Sequence, residues 1–229
     1  MRKNSQTLTT QSIPALIKQL AIPASIGMFF NTMYNVVDTF YAGLISTQAI
    51  SALTLSFMIF FLIIGFGYGF SSAITALLGN ALGKKRYKLA SIYAHKGLVF
   101  VPLIGLTLSI IGYFFAPSLF MFLGAKDEYL QISLDYINPI LFGAIFFMFN
   151  FSLNSILIAT GDTKTYRNSL IFGFFANLAL NPLFMYGFLF VPAMGIKGIA
   201  FATVLIQIIN MFYLFYKVLQ TKLIHFDKL

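Results

Sequence analysis

The sequence predicts an all-α integral membrane protein, a six-transmembrane-helix bundle, on three observations. Hydrophobic residues make up 59% of the 229 and charged residues only 9%, far from the roughly 25% charged residues of a soluble domain. Six apolar stretches each reach the roughly 20 residues that a helix needs to cross a hydrocarbon core. The basic residues fall in alternate connections between those stretches, the pattern that orients membrane helices. A closed β-barrel would need alternating strands of about 10 residues, and these runs are longer and continuously apolar.

Taken in order, the predicted spans are Ile13 to Ala42, Ala49 to Leu78, Ala90 to Leu119, Tyr129 to Ala159, Tyr166 to Phe190, and Ile199 to Val218. No low-complexity region or long linker divides them, so residues 1–229 are expected to form one six-helix transmembrane lobe. The first segment has no short apolar core followed by a small-residue cleavage site, so it is expected to remain as a helix. Pro23 lies in its first third, where a missing amide hydrogen permits a bend. The second span contains GFGYGF, whose small residues let a neighbouring helix approach. In the fifth span Pro182 removes the usual donor to the Leu178 carbonyl.

Charge fixes the expected orientation. Arg2, Lys3 and Lys18, then Lys84, Lys85, Arg86, Lys88 and Lys96, then Lys164 and Arg167, then Lys217, Lys222 and Lys228 lie on one side; only Lys126 and Lys197 lie on the other. Both termini are therefore expected in the cytoplasm. The net charge of +9 is spread along the chain between apolar spans and forms no continuous basic face, which excludes nucleic acid as a partner. The run GKKRYKLA is a topology signal in contact with anionic lipid. With no cysteine there is no disulfide, thiol nucleophile or thiolate metal site. No Walker, HExxH or GxSxG sequence is present, so nothing points to an enzyme or to a cofactor. His95 and His225 have no metal-ligand spacing to a partner and read as solvated surface.

Polar residues inside the spans carry the functional signal. Asp38 is the only acid well inside an apolar stretch, where a carboxylate requires a partner, a proton or a cavity. Positions i, i+4 and i+7 share a helix face. Asn31, Asn35 and Asp38 have that spacing, as do Thr203, Gln207 and Asn210; Asn150 with Asn154, and Asn177 with Asn181, are four apart. Four helices thus present oxygen-rich seams towards the bundle interior. Asn150, Asn154 and Asn210 fit a structural role as interhelical hydrogen-bonding groups. Burial favours a protonated Asp38, whereas nearby donors or a bound cation favour the anion. The oxygens of Asn177, Asn181 and Thr203, with carbonyls freed by Pro182, suit Na⁺ and equally suit a hydrogen-bonded carboxylic acid.

The segments LAIPASIGMFFNTMYNVVDTFYAGLIS, GFGYGFSSAITALLGNALGKKRYKLA, IATGDTKT, NLALNPLFMYG and MGIKGIAFATVLIQ resemble, in order, motifs of the multidrug and toxic compound extrusion (MATE) family. The resemblance implies a secondary antiporter that exports organic, cationic or amphipathic compounds against proton or Na⁺ entry. It implies ion coupling at Asp38, Asn177, Asn181 and Thr203 and a bend at Pro23; residue spacing adds Asn31, Asn35 and Gln207 as a supporting seam, and the carbonyl freed by Pro182 adds a second hinge. Two departures stand out: Asn181 occupies a position where some members have Asp, and Tyr166 one where a proline is common. The family has twelve helices in two six-helix lobes, and this chain resembles the N-terminal one. With an even number of helices per lobe, the topology allows a second six-helix lobe or a homodimer partner, and a truncation or a split gene accounts for the length equally well. The alternatives are a transport-incompetent fragment or a membrane partner that needs a separate second lobe, and a flippase of lipid-linked precursors, which would need basic residues deep in a span. A bacterial inner membrane is the implied location.

Overall fold

A computed structural model describes residues 11–224; Arg2, Lys3, His225 and Lys228 lie outside them. Six helices are present among the described residues: α1 (Ile13–Ile45), α2 (Thr47–Gly83), α3 (Tyr87–Phe122), α4 (Asp127–Ala159), α5 (Lys164–Tyr186) and α6 (Ile196–Leu219). All six are long and apolar enough to cross a membrane. Most run beyond the predicted spans. At 37 residues, α2 is about 55 Å long, because the helix continues through polar residues after leaving the apolar zone.

The connections are short and chemically specified. Ser46 alone separates α1 from α2: its amide donates to the Ala42 carbonyl at 3.3 Å and its Oγ accepts from the Ala49 amide at 3.0 Å. One residue thereby satisfies groups at two helix ends. Between α4 and α5 the IATGDTKT motif is a turn. Gly161 has a positive φ of 85°, and the Asp162 carboxylate accepts from the amide and hydroxyl of Thr165.

The fifth helix corrects the predicted span. It ends at Tyr186, four residues before Phe190, because Gly187 turns to φ +78° and Phe188 and Val191 pair their backbones in a tight turn. The amides of Met194 and Gly195 then bond the carbonyls of Phe184 and Met185, closing the helix end.

α4 is the central element, packed against α2, α3 and α6, while α5 bridges α6 to α1. α1 touches α2 and α6 much less. Two apolar clusters result. One joins Ala42, Ala49, Ile137, Ile140 and Ile199; the other joins Leu78, Ala90, Ile156, Leu157 and Val218. Along α6, Gln207 and Asn210 fall between them.

Many of the glycines sit at close contacts between helices, but the GFGYGF run contributes little to this. Of the GFGYGF glycines only Gly67 has a neighbour, the Phe151 ring; Gly65 and Gly69 face nothing within 4 Å. Gly198 is the less forgiving position, since a Cβ there would lie 2.6 Å from the Phe184 carbonyl carbon and oxygen, and backbone cannot step aside as a flexible side chain can. The helices continue unbroken through Pro23, Pro102, Pro117, Pro139 and Pro182.

Gly198→Ala should therefore destabilise the bundle by about 1–3 kcal/mol. Gly65→Ala should be neutral or stabilise by up to about 1 kcal/mol, because alanine is the better helix former. Melting curves of the detergent-solubilised variants, followed by size exclusion, check both directions.

Candidate functional site

Asp38 sits seven residues before the end of α1 and is 3% exposed. Two amides from α5 hold it: Asn177 Nδ2 and Asn181 Nδ2 each donate to Asp38 Oδ1 at 2.8 Å. They reach the same oxygen because they are one helical turn apart. Each Nδ2 also lies near the other residue's Oδ1, at 3.4 Å and 3.2 Å. Both asparagines are fully buried, behind Asp38 as seen from the cavity.

That cavity, of about 210 Å³, is lined by five helices. Its polar wall carries Asn31, Tyr34, Asn35 and Asp38 from α1 with Thr203, Gln207 and Asn210 from α6. Its aromatic wall comes mainly from α2 and α4. There Phe60 meets Phe147 and Tyr68 meets Phe151 edge to face, with centroids 5.6 Å and 5.0 Å apart. No Lys or Arg lines it. The α1 and α6 seams thus converge on one interior space.

Asn150, assigned to interhelical bonding, fills that role: its Nδ2 donates to both the backbone oxygen and Oε1 of Gln207, at 2.9 Å and 2.8 Å. Asn154 does not reach the main cavity. Asn35 bonds within its own helix, donating to the Asn31 carbonyl at 3.1 Å.

Three expectations change. The Leu178 carbonyl released by Pro182 already accepts the Tyr41 hydroxyl at 3.1 Å, so it helps tie α1 to α5. Asp38 shares its helical setting with another acid, Asp135, two turns into α4; that one pairs with Lys197 at 3.1 Å and Gln131 at 2.8 Å. His95 is half-buried, and its Nδ1 lies 2.8 Å from the Ser91 carbonyl.

Tyrosines were the residues missed. Tyr34 donates to Thr203 Oγ1 at 3.0 Å, and Tyr136, 4% exposed, lines the cavity near Asp38. Tyr34 had a usable signal: it follows Asn31 by three and precedes Asp38 by four, on the same face.

Known proteins match this chain in sequence and in fold. It is 30% identical over 212 residues to the probable multidrug resistance protein YoeA of Bacillus subtilis, with 90% of this chain and 46% of that protein covered. It is 26% identical over 201 residues to an FAD transporter of Shewanella oneidensis, covering 88% of this chain and 44% of that one. Among solved structures, a MATE protein in a bent conformation superposes with a TM-score of 0.86 at 28% identity, over 93% of this chain and 47% of the other. The chain therefore spans about half the length of the curated relatives it matches. Their names are those of transport and resistance proteins, not enzymes. Since the MatE family model also matches residues 23–183, the chain belongs to the MATE family of multidrug transporters.

Proposed function

We propose that this chain is one lobe of a secondary antiporter that exports organic cations or amphipathic compounds, with Asp38 as the coupling acid. The carrying observation is a buried carboxyl group that borders a cavity on one side and meets two amide donors on the other. Such a group binds or loses an ion with a change in its bonds to α5, so ion occupancy biases helix position. Asn177 and Asn181 present nitrogen to the carboxyl oxygen and keep their own oxygens near each other's amides. A Na⁺ ion at Asp38, Asn177, Asn181 and Thr203 would need both amides reversed. A proton needs no such change, and we assign the coupling to it.

The wall supports the substrate class: aromatic faces and one acid, with no Lys or Arg, suit a cation better than a phosphate. The same feature weighs against a lipid-linked precursor or a flavin nucleotide. The half-length match to relatives supports transport across an interface with a second six-helix lobe, supplied by another copy or another chain. Pro23 and Pro182 remain the proposed bending points. The orientation assigned to the chain has both termini in the cytoplasm of a bacterial inner membrane.

In proteoliposomes containing the chain, an imposed proton gradient should drive efflux of a fluorescent organic cation, and Asp38→Asn should reduce it to the level of empty vesicles. Asn at position 38 keeps an oxygen for the two amides, so the helical circular dichroism should be unchanged. Undiminished efflux would remove Asp38 from the mechanism, and efflux driven only by a Na⁺ gradient would overturn the proton assignment. A strictly monomeric chain without efflux would overturn the version in which two copies suffice.

The orientation is tested separately, because the chain contains no cysteine. An impermeant maleimide added to inside-out vesicles should label a Lys85→Cys variant and not a Lys126→Cys variant. The reverse pattern would invert the topology.

A further inference from the structure

Two buried acceptors on one face of α4 receive no donor from the described residues. They are Asn150 Oδ1 and Asn154 Oδ1, on residues each 6% exposed. Four residues apart, they lie about 6 Å from each other along the helix axis. A third such atom, Ser152 Oγ, belongs to a different face and lies against Gly97 of α3. An unmet buried acceptor costs about 1–3 kcal/mol, so water fills that role wherever there is room.

Room exists at both asparagines. Asn150 borders the main cavity, and Asn154 borders a second one of about 40 Å³, with Pro23, Gly27, Thr163, Tyr166 and Arg167. That volume accommodates a few water molecules. The second cavity lies at the basic end of the bundle, where α5 begins, and there Thr163 Oγ1 donates to the Gln19 carbonyl at 3.5 Å. Arg167 turns its guanidinium to Asn168 Oδ1, at 3.1 Å and 2.8 Å, while its Cα and Cβ face Gly27. Tyr166 alone among α5 residues lines both cavities. Its side chain is the common wall.

We propose that Asn150 and Asn154 carry a file of water from the Asp38 cavity to the basic end of the lobe, with the Tyr166 ring as the partition across it. The ligand is water and the proton it relays. The path gives a proton taken up at Asp38 an exit on the side opposite its entry. Only this use depends on the coupling role assigned to Asp38; the path stands on the two acceptors, the two cavities and their shared wall.

Cysteine accessibility tests it without requiring transport. In inside-out vesicles, 2-aminoethyl methanethiosulfonate should modify an Asn154→Cys variant about ten times faster than a Ser152→Cys variant, which is buried on the α3 side. Adding Tyr166→Ala to an Asn150→Cys variant should speed its modification from the same face by a similar factor, about ten-fold. Tyr166→Phe, which keeps the ring, should not. Where Tyr166→Ala lowers the yield of monodisperse protein, Tyr166→Val replaces it. Equal rates at 154 and 152, or modification at 154 only from the opposite face, would overturn the path. An unchanged rate at 150 would overturn the partition. Because the modification rates are read without an ion gradient or a transported substrate, failure of the coupling role and failure of the path give different results.

Discussion

A carboxyl group held inside an apolar bundle is the constraint on which the rest of this lobe depends. Transfer of a carboxylate to the centre of a membrane costs several kcal/mol even on lenient scales, and a hydrogen bond to a charged group returns about 1.5 to 3 kcal/mol. Two amides on one oxygen of Asp38 offset much of that cost, and the adjoining cavity offers hydration for the remainder. Neither suffices alone. The helices must therefore bring α5 behind Asp38 and leave space in front of it, which a uniformly packed bundle would not do.

The two apolar clusters are the means. The one containing Ala42, Ala49, Ile137 and Ile199 clamps the end of the lobe beyond Asp38; the one containing Leu78, Ala90, Ile156 and Val218 clamps the basic end. Small residues dominate the tight points, where Ala42 and Ala49 flank the Ser46 corner and Gly198 meets the Phe184 backbone. Between the clusters, aromatic rings from α2 and α4 hold the wall apart from the amides of α1 and α6. The cavity is thus an outcome of where the bulk is placed.

Much of this was legible in the sequence because the relevant signals are periodic. Apolar length located six spans, and the spacing of Asn31, Asn35 and Asp38 and of Thr203, Gln207 and Asn210 put two seams on faces that do converge. Atomic pairing was not legible. Spacing placed Asn177 and Asn181 together but could not say that they offer nitrogen rather than oxygen to Asp38, since an amide carries both. The carbonyl freed by Pro182 looked open, yet Tyr41 comes from another helix, and long-range partners leave no local trace. Gly65, Gly67 and Gly69 are equivalent in sequence, and only the position of Phe151 distinguishes the middle one.

The uneven packing of α1 gives the site its leverage. This helix makes few contacts with α2 and α6 and rests mainly on α5, with Ile22, Met28, Phe29, Val36 and Phe40 more than half exposed. Apart from apolar packing on α5 and at the Ser46 corner, its C-terminal half is held by three polar attachments: Asp38 to the two asparagines, Tyr34 to Thr203, and Tyr41 to the Leu178 carbonyl. All three fall within two helical turns. In the proposed cycle, a change in the charge of Asp38 would alter the strongest of them and leave the other two as pivots, so that a single proton would act on a lightly held helix and not on the α4 core. In a bundle whose first helix was buried as deeply as α4, the same titration would be absorbed by packing. Pro23 lies on the other side of the weakly held segment, four turns before Asp38, where a missing hydrogen bond lowers the cost of bending. Acid, attachments and proline together make α1 the element that the proposed ion cycle moves.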